Sequence, residues 1–317
     1  MRFLVVGAGS WGTAFTRVLI DRGHAVVLAC RSAEQAEAIA ATGWNPHHLQ
    51  GVDLRGAEAV PLAAAPADVD FVAVAVPSKS FAEVVAALPG DAPVLSLVKG
   101  LDPETGERLS TRVRGRSVAV LSGPNIAEEI AAGLPTAAVI ASEDGSLAGQ
   151  LQHALNSGLF RAYVNPDVVG VELCAAAKNV IALAAGGVDG LRLGDNAKAS
   201  LISRGLAEMT RLGEAAGARP ETFAGLAGIG DLVVSCCSPK TRNRHAGELI
   251  ARGLTAEQAV AEIGQTVEGL TTAPILRDLS HRLGVELPIT EGVCAVLSGQ
   301  SITDLAAGLM GRAPTEE

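Results

Sequence analysis

The sequence predicts an α/β protein, with a doubly wound, mostly parallel sheet in residues 1–165 and an all-α domain in residues 166–317. In the first half, short continuous apolar runs alternate with amphipathic segments, as expected of parallel strands that are buried on both faces. From about Asp167 onward the apolar spacing is helical throughout. The chain has 317 residues and is 48% apolar, enough for two domains with sizeable cores.

Strands are predicted at the short apolar runs of the first half and helices between them. Polar residues such as Arg31, Ser78, Lys99 and Ser122 follow the strand ends, so a ligand is expected at the carboxyl edge of the sheet. The predicted strands are Arg2–Val6, Ala25–Cys30, Phe71–Val76, Pro93–Val98, Ser117–Leu121, Ala137–Ala141 and Phe160–Val164. The predicted helices are Thr13–Asp21, Ala33–Ala41, Ser80–Leu88, Glu104–Arg112 and Asn125–Ala132.

Helix signals dominate the second half. Asp167 is a predicted N-cap, and Thr255 with Gln258 fits a capping box. Glycine follows two of the helices at Gly217 and Gly284, and Pro314–Glu317 is expected to be a frayed tail. The predicted helices include Val168–Ala185, Asn196–Ala216 and Thr271–Leu283.

The first strand runs directly into the motif G-x-G-x-x-G, and a helical pattern follows at once. Gly7 permits a tight turn, Gly9 lets a diphosphate approach the backbone, and Gly12 lets the helix pack close to the strand. This placement predicts a Rossmann-type dinucleotide site. No carboxylate follows the second strand directly, and Arg31 favours NADP(H), while Glu34 slightly further on keeps NAD(H) open.

Composition argues against several other classes. The net charge of −9 provides no field that would attract nucleic acid. Five cysteines without C-x-x-C spacing predict reduced thiols and no metal site. No apolar run reaches the roughly eighteen residues of a membrane span, and the N-terminus shows no secretory segment, so a cytoplasmic protein is expected.

Lys178 is the first candidate for chemistry. Only five lysines occur in the chain, and this one lies in a predicted apolar helix among alanines. Burying an ammonium is costly unless it is paired or its pKa falls. A lysine snorkelling from a helix edge is the alternative interpretation, but the small neighbours favour a functional amine.

The second candidate region follows a glycine-rich stretch, residues 225–230. Asp231 ends this stretch, and either a site carboxylate or a helix N-cap is open for it, while close helix packing is an alternative for the glycines. Thr241, Arg242 and Asn243 combine hydroxyl, guanidinium and amide donors, as phosphate recognition requires. A solvated surface turn is the alternative for those three residues.

Together these residues resemble the bacterial NAD(P)-dependent glycerol-3-phosphate dehydrogenase family over nearly the whole chain. Nine stretches carry the resemblance in the family's order and spacing. They are 7–14 (GAGSWGTA), 97–100 (LVKG), 122–124 (SGP), 177–183 (AKNVIAL), 189–198 (DGLRLGDNAK), 204–206 (RGL), 225–232 (GLAGIGDL), 241–243 (TRN) and 267–269 (VEG).

The resemblance implies reversible, NAD(P)H-dependent reduction of dihydroxyacetone phosphate to sn-glycerol 3-phosphate, which supplies glycerophospholipid synthesis. It implies that Lys178 is the general acid/base, that Asp231 orients or balances it, and that Arg242 and Asn243 bind the substrate phosphate. The implied substrate contacts are Lys99, Gly123, Asn125, Lys178, Asp231, Thr241, Arg242 and Asn243. Besides the glycines Gly7, Gly9 and Gly12, the implied cofactor contacts are Ser10, Trp11, Arg31, His48, Lys99, Ala127, Arg242, Thr266 and Glu268.

Two of these positions depart from the family pattern. Asn125 replaces the commoner Ser or Thr, and His48 stands where an aromatic residue is frequent, so a surface histidine is an equal alternative there. The resemblance also implies a homodimer. Two other functions remain open at this point: a related dehydrogenase of a non-phosphorylated hydroxy or keto acid, and a dinucleotide sensor without catalysis.

Overall fold

A computed structural model of the chain describes residues 1–303, so the tail predicted at Pro314–Glu317 lies outside the described residues. Its strands are β1 Arg2–Val6, β2 Ala25–Cys30, β3 Ala57–Pro61, β4 Phe71–Val74, β5 Val94–Ser96, β6 Val118–Ser122, β7 Thr136–Ala141 and β8 Phe160–Asn165. They form one sheet in the order β3-β2-β1-β4-β5-β6-β7-β8. Every neighbouring pair is parallel except β6–β7. The predicted doubly wound, mostly parallel sheet is confirmed.

The helices divide between the two halves of the chain. In the sheet half they are α1 Ser10–Asp21, α2 Ala33–Thr42, α3 Ser78–Ala86, α4 Ala127–Ala131 and α5 Gly145–Leu155. In the helical half they are α6 Val168–Gly190, α7 Asp195–Ala215, α8 Pro220–Phe223, α9 Asp231–Cys237, α10 Arg242–Ala251, α11 Ala256–Ile263, α12 Glu268–Leu283 and α13 Pro288–Leu297. Asp167 caps α6 and Thr255 forms the capping box of α11, as predicted.

One predicted helix is wrong. Of the predicted helix Glu104–Arg112, only the 3₁₀ turn Leu109–Arg112 forms. The carboxylate of Asp102 accepts hydrogen bonds from the backbone N–H groups of Glu104 and Thr105, and this local pairing competes with a helix. The segment instead folds back on itself, with Leu101 bridged to Arg108 in antiparallel fashion.

In the sheet half, two elements lay outside the predictions. Strand β3 is a half-buried edge strand that contains Glu58 and ends at Pro61, so it lacks the continuous apolar run of the central strands. Helix α5 contains Gly145 and Gly149, which lower its helix propensity, although Asp144 caps it.

Helix α6 is the centre of the helical half, and α7, α9, α10 and α12 pack around it. Gly247 of α10 makes one of these contacts very close, because a Cβ at that position would lie 1.9 Å from the carbonyl oxygen of Leu183. The α10 N-terminus, which carries Arg242 and Asn243, is therefore held against the helix that carries Lys178.

Helix α6 also has the length and hydropathy of a membrane-crossing helix, with a mean hydropathy of 1.7 in its most apolar window. Within the protein, however, 89% of that window is buried. The core helix of a folded domain meets the same criteria, and the burial favours that interpretation of α6.

The two halves share a small apolar interface. Val120 and Val139 of the sheet pack with Val168 and Val171 of α6 and with Ala227. This contact places the start of α6 against β6 and β7. The carboxyl ends of β5 and β6 therefore face α6 and α9.

Candidate active site

The loop between β1 and α1 has the geometry that a dinucleotide requires. Gly7 has a φ of +108°, and a Cβ there would lie 2.5 Å from the carbonyl oxygen of Ala75. A Cβ on Gly12 would lie 1.8 Å from the carbonyl oxygen of Gly7. A Cβ on Gly9, by contrast, would meet no described atom within 4 Å. Two glycines are therefore required by the fold itself, and the third leaves free space at the N-terminus of α1, where backbone N–H groups have no partner within the helix.

Asn45 organises the rim of this loop, and its role was not predicted. Its side-chain amide donates to the carbonyl oxygen of Ala8 at 2.9 Å and to Thr13 Oγ1 at 2.8 Å. Its oxygen accepts from the backbone N–H groups of His47 and His48. The loop that carries His48 is thereby fastened to the glycine loop.

His48 faces the start of α1, with its Nδ1 3.4 Å from Ser10 Oγ. Burial lowers the pKa of His48, and the positive charges of His47 and Arg242 lower it further. Arg242 of the helical half is thus close enough to act on a residue of the predicted cofactor site. Arg31 and Glu34 lie exposed beyond β2.

Lys178, Asp231 and Lys99 form a buried cluster where the two halves meet. The Nζ atom of Lys178 lies 2.7 Å from Asp231 Oδ1, and that of Lys99 lies 2.8 Å from Asp231 Oδ2. Lys178 also donates to Ser235 Oγ at 2.8 Å, and Lys99 to the carbonyl oxygen of Gly123 at 2.8 Å. Lys178 is only 6% exposed and Asp231 2%. One carboxylate therefore orients two ammonium groups from different elements.

The electrostatics of the cluster favour a titratable amine. Burial, together with the positive charge of Lys99, lowers the pKa of Lys178 from 10.5 to about 8, although Asp231 opposes the shift. Burial alone would raise the pKa of Asp231, but the two ammonium groups outweigh burial and hold that pKa below its ordinary value. At neutral pH the cluster therefore holds a carboxylate and a protonated Lys178 whose proton is available near physiological pH.

Asp231 is the first residue of α9, and Gly230 occupies the N-cap position, so the N-cap alternative for Asp231 is wrong. Close packing is real for one glycine before it, since a Cβ on Gly228 would lie 2.0 Å from the carbonyl oxygen of Phe223. The residues 226–230 form a π-helical turn that directs Asp231 inward.

Asn243 and Thr241 make contacts within the protein. Asn243 donates to Asn179 Oδ1 at 2.9 Å and accepts from the backbone N–H of Gly269 at 2.9 Å. Asn179 in turn donates to the carbonyl oxygen of Lys99 at 2.9 Å. The hydroxyl of Thr241 donates to the carbonyl oxygens of Ser235, in the last turn of α9, and of Ser238, just after that helix. These side chains lie near the cluster and also connect β5, α6, α10 and α12.

Arg242 differs from its neighbours because its guanidinium keeps most of its donors. Its Nη1 donates to the carbonyl oxygen of Thr266 at 3.0 Å, and partial desolvation lowers its pKa. In the described chain no carboxylate forms an ion pair with it. Arg242 is exposed, and the nearby carboxylates of Glu268 and Glu128 oppose this shift of its pKa without pairing with it. An accessible guanidinium with free donors is suited to an anionic ligand.

Glu268 reaches across to the sheet half. Its carboxylate accepts from Ser78 Oγ at 2.6 Å and from the Ser78 backbone N–H at 3.3 Å, at the first turn of α3. Gly100 lies beside this pair. The predicted cofactor residues Thr266 and Glu268 thus lie between Arg242 and the carboxyl edge of the sheet.

The remaining predicted residues lie along the loop after β6. Gly123 has a φ of +135° and presents its carbonyl to Lys99. Asn125 donates to Thr136 and Ala137, while its Oδ1 is buried without a hydrogen-bond partner in the described chain, as is Nε1 of Trp11. Ala127 is the first residue of α4, which packs on α1.

The structure brings together most of the predicted site and adds residues that the sequence did not indicate. Asn45 and Ser235 hold predicted residues in place and are common polar residues without a distinctive pattern. Ser78 was expected only as one polar residue at the sheet edge, and Asn179 only as a neighbour of Lys178, but both also hold predicted residues. Within residues 1–303, no group of three or more His, Cys, Asp or Glu side chains could hold a metal ion.

Comparisons with known proteins show which family the chain resembles. Residues 3–148 match the family model of the NAD-dependent glycerol-3-phosphate dehydrogenase N-terminus, and residues 167–306 match that of its C-terminus. A Streptomyces avermitilis protein named glycerol-3-phosphate dehydrogenase (NAD(P)+) is 47% identical over 92% of this chain and 91% of its own length. The Streptomyces griseus protein of the same name is 45% identical over 99% of this chain and 97% of its own length.

Solved structures show the same fold. The crystal structure of glycerol-3-phosphate dehydrogenase from Coxiella burnetii superposes with a TM-score of 0.93, at 35% identity, over 98% of this chain and 99% of that one. A ketopantoate reductase from Ralstonia eutropha superposes with a TM-score of 0.62 at 19% identity, which indicates a shared fold alone.

Proposed function

The chain belongs to the NAD-dependent glycerol-3-phosphate dehydrogenase family, and we propose that it reduces dihydroxyacetone phosphate reversibly to sn-glycerol 3-phosphate with NAD(P)H. The product would supply glycerophospholipid synthesis. The observation that supports this most strongly is the Lys178–Asp231–Lys99 cluster at the carboxyl edge of the sheet. The exposed Arg242 precedes Asn243, which is hydrogen-bonded through Asn179 to the backbone of Lys99.

Lys178 is the proposed general acid/base. A bound nicotinamide would supply the hydride to C2 of the substrate in the reductive direction and accept it in the oxidative direction. Lys178 gives its proton to the C2 oxygen in the reductive direction and takes it back in the oxidative direction. Asp231 and Ser235 fix its Nζ atom, and Lys99 adds positive charge next to the oxygen where negative charge develops.

Arg242 is the proposed principal ligand of the substrate phosphate. It supplies charge and a planar set of donors, whereas Thr241 and Asn243 contribute through the orientation of the α10 N-terminus and through any donors that binding frees. Gly123 and Asn125 would border the same substrate from the sheet half. The phosphate recognition separates this proposal from that of a dehydrogenase of non-phosphorylated acids.

The residues present fit a dinucleotide at the glycine loop. Gly7, Gly9 and Gly12, with Ser10 and Trp11, would hold the diphosphate, and Arg31 would face the adenosine ribose. His48, Lys99, Ala127, Arg242, Thr266 and Glu268 would complete the cofactor site. Both NADP(H) and NAD(H) are compatible with an exposed Arg31 and an exposed Glu34 beyond β2.

Three further statements belong to the same proposal. The domain boundary lies at residues 165/166, between the end of β8 and the capped start of α6. The protein is a homodimer, and it is cytoplasmic. Light scattering on the purified protein tests whether it is a dimer, and cell fractionation tests the cytoplasmic location.

A purified-protein assay tests the function. Oxidation of NADPH and of NADH is followed by absorbance with dihydroxyacetone phosphate, and with dihydroxyacetone as the matched substrate that lacks the phosphate. We expect turnover with the phosphorylated substrate and little with the other. Equal rates with both, or turnover of keto acids alone, would contradict the proposal, and cofactor binding without any turnover would favour a sensor.

The pH dependence should differ in sign between the two directions. With a pKa of about 8, Lys178 is protonated at neutral pH, so the reduction rate should fall as the pH rises through about 8. The oxidation of glycerol 3-phosphate needs the neutral amine, and its rate should rise over the same interval. Initial rates between pH 6 and 10 measure both changes, each of which is called the pH limb of its direction. A reduction rate and an oxidation rate that both rise, or both fall, with pH would be inconsistent with a single acid/base.

Substitution in the glycine loop should separate cofactor binding from folding. Gly9→Ala should leave the melting temperature within a few degrees of the parent, because the added Cβ meets open space. It should raise the KM for NADPH about tenfold or more, since the methyl group holds the diphosphate away from the helix N-terminus. Gly12→Ala is the control: it should destabilise the protein, because its Cβ clashes with Gly7. An unchanged KM in Gly9→Ala would place the cofactor elsewhere.

A further inference from the structure

Glu172 is a buried carboxylate of α6 that the mechanism above does not use. It is 3% exposed. Its Oε1 accepts from the backbone N–H of Ser110 at 2.8 Å, and its Oε2 accepts from Ser110 Oγ at 2.5 Å and from Arg108 Nη1 at 3.0 Å. Both carboxylate oxygens are therefore committed to one short segment of the sheet half.

That segment leads directly from the predicted site. It begins after Lys99, and an isolated antiparallel bridge pairs Arg108 with Leu101, which is two residues after Lys99. Asp102 closes the intervening turn and also pairs with Arg112 at 3.0 Å. Residues 101–112 are thus connected to one another by hydrogen bonds and an ion pair. Contacts that fix Arg108 and Ser110 therefore also fix the start of the segment.

Helix α6 fastens this unit at two points on either side of Lys178. Asn179 donates to the carbonyl oxygen of Lys99, and Glu172 holds the far end through Arg108 and Ser110. Leu101 packs into the helical core between these points. Six residues of helix span about 9 Å from Glu172 to Lys178. The helix that carries the Lys178 amine therefore also sets the position of Lys99.

The chemical nature of the anchor matters. A buried carboxylate is costly, and burial raises the pKa of Glu172 although Ser110 and Arg108 oppose the shift. An apolar side chain would fill the same volume without that cost. A carboxylate, however, fixes one backbone N–H, one hydroxyl and one guanidinium at once, and therefore fixes the register of the segment as well as its contact.

We propose that Glu172 is a positioning residue for the reaction: through Arg108 and Ser110 it holds the segment after β5 at the register that places Lys99 against Asp231 and Gly123. This rests on the function proposed above. Without the anchor, Lys99 moves away from Asp231, and the acid/base amine loses a neighbouring positive charge.

The proposal predicts the direction in which the pKa of Lys178 changes when Lys99 is displaced. The charged or titratable groups facing Lys178 are Asp231 and Cys236 from α9 and Lys99 from the loop after β5, while Cys174 on α6 faces Asp231. Lys99 lowers the pKa of Lys178. Displacement of Lys99 should therefore move the pH limb of the reduction to higher pH.

The experiment compares Glu172→Ala with Glu208→Ala. Glu208 is an ideal match, since it is also a helix glutamate, 3% exposed, that accepts backbone N–H bonds, here from Ile289 and Thr290 of α13. Glu172→Ala should lower kcat by about tenfold to 100-fold and accelerate amide exchange in residues 101–112. It should also move the fall of the reduction rate to higher pH. Glu208→Ala should accelerate exchange around 287–291 and leave kcat and the pH limb unchanged at temperatures where it is folded.

Two milder variants keep the inference testable if Glu172→Ala does not fold. Glu172→Gln keeps one acceptor oxygen for the Ser110 backbone N–H but places an NH2 donor where the Arg108 guanidinium needs an acceptor, so it should lower kcat less than Glu172→Ala does and still measurably. Ser110→Ala should show a smaller shift in the same direction. Wild-type kcat and pH limb in these variants, despite faster exchange in 101–112, would overturn the inference, as would equal effects from Glu208→Ala. Failure of the proposed function is a separate result, because the unsubstituted protein would then not reduce dihydroxyacetone phosphate at all.

Discussion

Lys178→Ala should lower kcat for the reduction of dihydroxyacetone phosphate by about 10²–10⁴-fold, the range typical of a lost general acid. The affinity for NADPH should stay close to that of the parent, because the glycine loop lies in the other half of the chain. Stopped-flow absorbance gives kcat, and fluorescence titration with NADPH gives the affinity. A loss in kcat and kcat/KM together would identify an interaction made in the transition state.

Two controls define this result. Lys178→Arg keeps a positive charge but does not release its proton at neutral pH, so it should be nearly as inactive as the alanine variant. Lys240→Ala removes an exposed lysine that pairs with Glu129 on the surface, and it should leave kcat unchanged. Full activity in Lys178→Arg would assign the residue a purely electrostatic role.

Asp231→Asn should have the largest effect on stability. The substitution leaves the ammonium groups of Lys178 and Lys99 facing each other without the carboxylate that balances them. Removal of one partner from a buried ion pair typically costs about 3–5 kcal/mol. Urea unfolding followed by circular dichroism measures the loss, and Ser122→Ala, which removes only a 3.5 Å contact to the same carboxylate, is the mild control.

The same carboxylate predicts a dependence of stability on pH. The folded-state pKa of Asp231 lies below its value in the unfolded chain, so its contribution is present above the unfolded pKa, roughly 3.9, and is lost as the pH falls through the folded value. Asp231→Asn should therefore lose less stability than the parent on acidification from pH 5. An identical acid profile in the two proteins would contradict a charged Asp231.

Substitution at Asp231 should also change catalysis. Because Asp231 raises the pKa of Lys178, its removal should move the pH limb of the reduction to lower pH, opposite to the shift expected from displacement of Lys99. The two variants thus move one measured limb in opposite directions, which a general loss of structure would not do.

Much of the fold was predictable because its determinants are local. The apolar runs at β1 and β2 coincide with the observed strands residue for residue, and the caps at Asp167 and Thr255 are contained within single turns. The error at Glu104–Arg112 arose where a side chain, Asp102, captures backbone donors and a long-range anchor at Glu172 fixes the chain. Such a competitor to a helix is visible only in three dimensions.

Some residues of the site were likewise predictable from the sequence, and others were not. Lys178 was identifiable because a buried amine among alanines conflicts with its surroundings, and the glycine motif because its spacing solves a steric problem. Lys99, Asp231 and Arg242 were candidates from their own sequence context, whereas their specific roles and the contact at Glu268 came from the family resemblance. Their convergence depends on how α9, α10 and α12 pack. Asn45, Ser78, Asn179 and Ser235 support them, and only the packing shows which predicted residue each one holds.

A crystal structure with reduced cofactor and a phosphorylated substrate analogue tests the chemistry most directly, through the separation of one nitrogen from one oxygen. We expect Lys178 Nζ within about 2.6–3.2 Å of the C2 oxygen, with the phosphate on Arg242. A ternary complex in which that nitrogen stays on Asp231 and Ser235, and a different group donates to the oxygen, would contradict the assignment.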